Sequence, residues 1–87
     1  PERFAKMLDV GVGSGVILLS LVKSGVAKTG VGSDLSPEAL SVARINQRRL
    51  RLMTRTEFVL SDRFQSIEGM FDLIVSNPPY IKASSHR

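Results

Sequence analysis

Three alternate glycines, Gly11, Gly13 and Gly15, interrupt a mainly apolar stretch from Met7 to Val22. Glycine at every second position removes the Cβ atoms, so the backbone can take positive φ and come close to a ligand. The run before the loop reads as a buried strand, and Val16-Ile17-Leu18-Leu19-Ser20-Leu21-Val22 after it reads as a buried helix. First-turn N–H groups of a helix have no intrahelical acceptor, and they favour an anionic group such as a phosphate or carboxylate. Strand, glycine loop and helix in this order hold a nucleotide-like cofactor in open α/β sheets. A ligand-free βα turn is the plainer alternative, but one turn seldom needs three glycines.

Asp34 closes a second strand-like run, Thr29-Gly30-Val31-Gly32-Ser33-Asp34. A carboxylate at that strand end can accept both hydroxyls of a ribose. The glycine spacing is G-x-G-x-G, whereas the dinucleotide fingerprint is G-x-G-x-x-G, and its third glycine falls on Val16. The loop and Asp34 alone fit either a dinucleotide or S-adenosylmethionine. A third stretch, Ser76-Asn77-Pro78-Pro79-Tyr80-Ile81, follows the last apolar run. Proline pushes Asn77 towards extended geometry, and two prolines stiffen the loop while leaving carbonyls able to accept. The Asn77 side-chain oxygen and the Pro78 carbonyl can then accept two hydrogen bonds from one –NH₂ group. An ordinary proline-rich loop is the competing reading.

These residues need a scaffold, and the chain alternates accordingly. Phe4–Asp9 reads as a strand, Ser14–Ser24 as a helix with Gly25 just past its end, and Thr29–Asp34 as the second strand. Ser36-Pro37-Glu38 starts a second helix, with serine as N-cap, proline at N1 and an acid in the first turn. That helix is expected to reach about Leu52, with Ala39, Val42, Ala43, Asn46 and Leu50 on its apolar face. Thr56–Leu60 reads as the third strand, with Phe58 and Leu60 alternating against Val59. Phe71–Ser76 reads as the fourth, apolar enough for burial on both faces. The order β-α-β-α-β-β predicts an α/β fold, a Rossmann-like doubly wound half sheet in strand order 3-2-1-4.

Composition sets the bounds. Eighty-seven residues make at most one small domain, and 43% hydrophobic with 23% charged residues is ordinary for a globular chain. No apolar run approaches the ~18–20 residues of a membrane span, so no membrane partner is expected. Absence of cysteine excludes disulfides and thiolate metal sites and suits the cytoplasm. His86, the one histidine, lies in a polar tail and makes no metal cluster. The chain opens on Pro1-Glu2 without methionine and is expected to be a piece of something longer. The net charge of +4 gathers on the second helix, where Arg44, Arg48 and Arg51 are expected opposite the apolar face. Such a patch suits nucleic acid or an acidic partner; a solvated helix face is the plainer reading. No aromatic residue is interleaved to stack bases.

Asp9-Val10-Gly11-Val12-Gly13-Ser14-Gly15, Asp34-Leu35-Ser36-Pro37-Glu38-Ala39-Leu40, Ser61-Asp62-Arg63-Phe64 and Asn77-Pro78-Pro79-Tyr80-Ile81 together resemble class I S-adenosylmethionine-dependent methyltransferases. Within that class the chain is most similar to the protein-(glutamine-N5) methyltransferases of peptide chain release factors, over nearly all its length. The resemblance implies that Asp9, Gly11, Val12, Gly13, Ser14 and Gly15 hold the methionine part of the cofactor and that Asp34 takes the ribose hydroxyls. It implies that Asp62 accepts from the adenine amino group, with Leu35 and Arg63 against the ring. Arg63 departs from the bulky apolar or aromatic residue often found there. Asn77, Pro78, Pro79 and Tyr80 would bind the substrate amide, with Asn77 also at the cofactor and Asn77, Pro78 and Tyr80 the catalytic set.

The implied substrate is a glutamine of a release factor. The Asn-Pro-Pro-Tyr element is shared with adenine-N6 methyltransferases, which the arginine face would suit, so a nucleic-acid methyltransferase core is a second reading. A non-catalytic cofactor-binding half-domain is a third. Longer relatives continue past the tyrosine loop and carry an N-terminal substrate domain, so residues 1–87 are expected to form a partial domain. In the order 3-2-1-4 the fourth strand is an edge without proline or lysine, which predicts homo-oligomerisation through it.

Overall fold

The computed structural model describes residues 4–62 and 69–76. Six elements follow in order: β1 (Phe4–Val10), α1 (Val16–Lys23), β2 (Ala27–Asp34), α2 (Pro37–Arg49), β3 (Thr56–Leu60) and β4 (Leu73–Ser76). They form one parallel sheet in the order β3-β2-β1-β4, as the alternation of the sequence requires. Both helices pack on the same side of β1, β2 and β3, because right-handed crossovers that proceed in one direction stack their helices on one face.

The core lies between that face and the helices. Met7, Leu18, Leu19, Val22, Ala27, Leu40, Ala43, Leu52 and Phe58 are buried together. Strand β2 is poor in good strand formers, and its glycines explain the exception. A Cβ at Gly30 would run into Leu18, and one at Gly32 into Val12 and Phe58. The absent side chains admit α1 and the Phe58 ring to close range. Ser36 caps α2 through its side-chain oxygen, which accepts from the Ala39 N–H at 3.1 Å, and Pro37 occupies N1.

Several boundaries and faces differ from the sequence reading. Helix α1 starts at Val16, two residues late, because Ser14 and Gly15 still belong to the loop. Helix α2 stops at Arg49 and turns back through Arg51, so Leu52 lies beyond the helix and packs into the core from there. The inward face of α2 is built on Leu40 and Ala43, whereas Val42, one position before Ala43 on the helix, is 45% exposed. On β3, Phe58 is buried but Leu60 is exposed, because it lies at the last pair with β2. Strand β4 starts at Leu73, and Ile74 is 53% exposed, so it is not buried on both faces. Its Leu73 and Val75 lie against the core, but the opposite face carries no helix among the described residues.

Both helices end in the same six-residue hydrogen-bond pattern. After α1, Gly25 N–H donates to Val22 O and Val26 N–H to Leu21 O; after α2, Arg51 N–H donates to Arg48 O and Leu52 N–H to Gln47 O. The left-handed residue is Gly25 (φ 88°) in the first but Arg51 (φ 60°) in the second. An L side chain there costs roughly 1–2 kcal/mol. Arg51→Gly is therefore expected to stabilise the fold by about 1 kcal/mol, after glycine's own entropy cost, and to raise the urea midpoint without changing the slope.

Candidate functional site

The carboxyl ends of β1, β2 and β3 bring the cofactor candidates to one edge. Loop glycines Gly11, Gly13 and Gly15 have φ of 77°, 57° and 80°, the left-handed region in all three. A substitution at any of them strains the backbone whatever space surrounds it. Strand β2 holds the loop. The Ser33 carbonyl accepts from the Gly11 and Val12 N–H groups at 2.9 and 2.8 Å, and Gly13 N–H donates to Asp34 Oδ2 at 2.9 Å. Gly15 N–H donates to Val12 O. Four loop amides are thus consumed by the loop's own architecture. At the start of α1 the N-cap is Gly15, which has no side chain to cap the first turn.

Asp34 has a structural role that its strand-end position did not reveal. Oδ2 takes the Gly13 N–H, and Oδ1 takes the Ser36 N–H at 3.0 Å, so one carboxylate ties the glycine loop to the start of α2. A carboxylate offers about four acceptor positions, which leaves capacity for two hydroxyls. Leu35, beside it, is 65% exposed and offers an apolar surface to a flat ring. The Ser61 N–H donates to Asp34 O, which carries exposed Asp62 to the same edge.

Asp9 is the unusual member. It is 1% exposed, lies between Gly32 of β2 and Val75 of β4 in register, and its Oδ1 has no hydrogen-bond partner. Burial, and secondarily the nearby Asp34 charge, push its carboxyl up to about 6. A buried, unpartnered carboxylate oxygen beside a glycine loop fits a ligand that brings a cationic group.

By spacing, Asn46 falls on the apolar face of α2. Its Nδ2 instead donates to Ser14 O at 2.9 Å, anchoring the far side of the loop to α2. The available signal was a polar residue interrupting an apolar stripe. Arg44, Arg48 and Arg51 are all exposed, but they differ in setting: Arg44 Nη2 donates to Phe58 O at 3.0 Å, and Arg51 lies past the end of α2.

Arg63 and the Asn77, Pro78, Pro79 and Tyr80 element lie outside the described residues. Ser76, the last residue of β4, pairs with Val10, so the chain leaves β4 level with the start of the glycine loop. No helix among the described residues is long and apolar enough to cross a membrane.

Comparison with known proteins gives a consistent result. The family model described as methyltransferase small domain matches residues 1–87. The chain is 47% identical to a release factor glutamine methyltransferase of Agrobacterium fabrum over 78 residues, covering 90% of this chain and 27% of that protein. It is 49% identical to the protein of the same name from Caulobacter vibrioides, covering 93% of this chain and 29% of that one. The chain thus spans about a quarter of the length of these relatives. Among solved structures, a ribosomal protein L11 methylase from Lactobacillus delbrueckii subsp. bulgaricus superposes with a TM-score of 0.74 at 32% identity, over 84% of this chain and 37% of that one. TrmK of M. capricolum, in complex with S-adenosyl-homocysteine, reaches 0.79 at 17% identity over 85% of this chain and 34% of its own, a likeness of fold alone. With the glycine loop, Asp34 and buried Asp9 assembled at one sheet edge, the chain belongs to the methyltransferase small domain family, whose cofactor is S-adenosylmethionine.

Proposed function

We propose that the protein is the cofactor-binding part of an enzyme that methylates the amide nitrogen of a glutamine side chain in a peptide chain release factor. The observation that carries this reading is its 45–49% identity, over about nine-tenths of its length, to several proteins named release factor glutamine methyltransferase. When bound, S-adenosylmethionine supplies a methyl group already activated by its sulfonium. The residues of the chain then have to orient rather than activate. Asp9 and the Gly11–Gly15 loop receive the cationic methionine end, Asp34 the ribose, and Leu35, Asp62 and Arg63 the adenine. Asn77, Pro78, Pro79 and Tyr80 hold the acceptor. An amide nitrogen is a poor nucleophile because its lone pair is delocalised into the carbonyl. Acceptors at Asn77 and Pro78, set on both its hydrogens, favour the geometry in which that pair is freed. No strong general base is demanded, since the nitrogen becomes acidic as it is methylated.

The cytoplasmic setting belongs to the same proposal, as does the partial character of the domain. The test is transfer of labelled methyl from S-adenosylmethionine to a glutamine-containing release-factor peptide, to the same peptide with that glutamine replaced by alanine, and to an adenine-containing oligonucleotide. Label on the first alone supports the proposal. Label on the oligonucleotide alone overturns it in favour of a nucleic-acid acceptor, and cofactor binding without transfer leaves the half-domain reading.

Self-association through β4 is proposed alongside. Among the described residues β4 is an edge of the sheet, and Ile74 is half exposed on it. Light scattering is expected to report a dimer or larger species for the wild type and a monomer for Ile74→Lys. A monomeric wild type at high concentration refutes the pairing.

A further inference from the structure

We propose that Asp72 is a positioning residue for methyl transfer: it fixes the register of β4 on β1, and thereby the point from which the Asn77–Tyr80 element departs. The proposal rests on the reading of that element as the acceptor site.

The problem it solves is one of register. Among the described residues, strand β4 has four residues, pairs with β1 alone and lies at the edge of the sheet. Its side chains alternate, with Leu73 and Val75 against the core and Ile74 and Ser76 exposed. A slip of one residue would bury Ile74 and Ser76 and expose Leu73 and Val75, so burial resists it. A slip of two keeps an apolar residue facing inward, and the pattern resists it poorly. Such a slip moves the strand by about 6.6 Å. Methyl transfer needs reacting atoms aligned at roughly 3–3.5 Å, so a two-residue slip would separate acceptor from cofactor. Asn77 directly follows Ser76, whose partner is Val10, one residue before the glycine loop.

Asp72 distinguishes the registers that the apolar pattern does not. Its Oδ2 accepts from the N–H groups of both Ala5 and Lys6, each at 3.0 Å, and its own N–H donates to Lys6 O at 2.8 Å. The preceding Phe71 is held at the same place, where the Lys6 ammonium lies 5.0 Å from the centre of its ring. A two-residue slip would pull the carboxylate from both amides at once. Hydrogen bonds to a charged acceptor are among the stronger ones in proteins. Asp72 lies at the opposite end of β4 from Ser76, so it acts through the strand and not by touching cofactor or acceptor.

The test compares Asp72→Ala with Asp72→Asn in the full chain. Nuclear magnetic resonance reads cross-strand contacts between Val10 and Ser76 and amide exchange at Ala5 and Lys6. Calorimetry reads affinity for S-adenosylhomocysteine, and a glutamine peptide reads transfer. In Asp72→Ala the two amides are expected to exchange at least about tenfold faster, and the Val10–Ser76 contact to weaken or divide between registers. Transfer should fall about tenfold or more, while S-adenosylhomocysteine affinity changes by less than about threefold. Asp72→Asn keeps an acceptor oxygen and is expected to restore register and transfer together. An intact Val10–Ser76 contact in Asp72→Ala overturns the proposal, as does loss of cofactor affinity in step with transfer. If the wild-type chain methylates no acceptor, the reading of Asn77–Tyr80 fails, whereas the cross-strand contacts still decide what Asp72 does.

Discussion

Asp34→Ala is expected to lower affinity for S-adenosylmethionine by about a hundredfold or more, equivalent to about 2.7 kcal/mol. The effect has two sources. The substitution removes the acceptor proposed for the ribose hydroxyls, and it leaves the Gly13 and Ser36 N–H groups without the carboxylate that now joins them. Loss of acceptors for partly buried N–H groups costs about 1–3 kcal/mol each in stability, so the variant should also unfold at lower urea. Asp34→Asn separates the two, because its amide oxygen still accepts from one N–H. It is expected to lose about tenfold in affinity and to retain more of the stability. Calorimetric titration with an unfolding curve on each variant checks this. Equal affinity in wild type and Asp34→Ala removes Asp34 from the ribose site.

Asp9→Asn is expected to move stability and affinity in opposite directions. The Asp9 carboxyl is raised from 3.8 to about 6, by burial first and by Asp34 second. Between those values the folded chain binds more protons than the unfolded one, so stability falls as pH rises through that window. The Asp9 contribution is full below about pH 4 and has been lost above about pH 6. The shift corresponds to about 3 kcal/mol at most, which in a chain of this size is on the order of ten degrees or more of melting temperature. Asp9→Asn removes the charge in nearly the same volume, so it should melt higher than wild type at pH 7.5 and equal it near pH 4. A cationic ligand favours the ionised carboxylate. Wild-type affinity for S-adenosylmethionine should therefore strengthen from pH 5 to pH 7, with proton release near pH 6 seen as buffer-dependent binding heats. Asp9→Asn should bind more weakly at pH 7.5 and show neither effect. Lower melting of Asp9→Asn at pH 7.5 would mean that the carboxylate has a partner after all.

These two residues also show what a sequence can and cannot carry. The alternation of apolar runs with Gly11-x-Gly13-x-Gly15, the Ser36-Pro37-Glu38 helix start and the strand-end position of Asp34 were sufficient for the fold class and the strand order, and that order brings the candidate cofactor residues to one sheet edge. Each is a local signal: chain stereochemistry at glycine and proline, one orphan N–H at a helix start, and the right hand of the crossover. The acceptor role proposed for Asn77, Pro78, Pro79 and Tyr80 rests on the family resemblance, and those residues lie outside the described ones.

Tertiary structure decided which partner each polar group meets. Asn46 lies in an apolar stripe by spacing, yet its amide reaches Ser14 because α2 lies beside the loop. Arg44 reads as part of a basic face, and while exposed there it also donates to the Phe58 carbonyl of β3. Arg51 occupies a left-handed position where only the closing hydrogen bonds of α2 reveal the need for one. Asp9 is an ordinary acid in sequence and becomes a perturbed one only when three strands and Asp34 surround it. Burial and hydrogen-bond pairing depend on residues distant in the chain, so no local pattern encodes them.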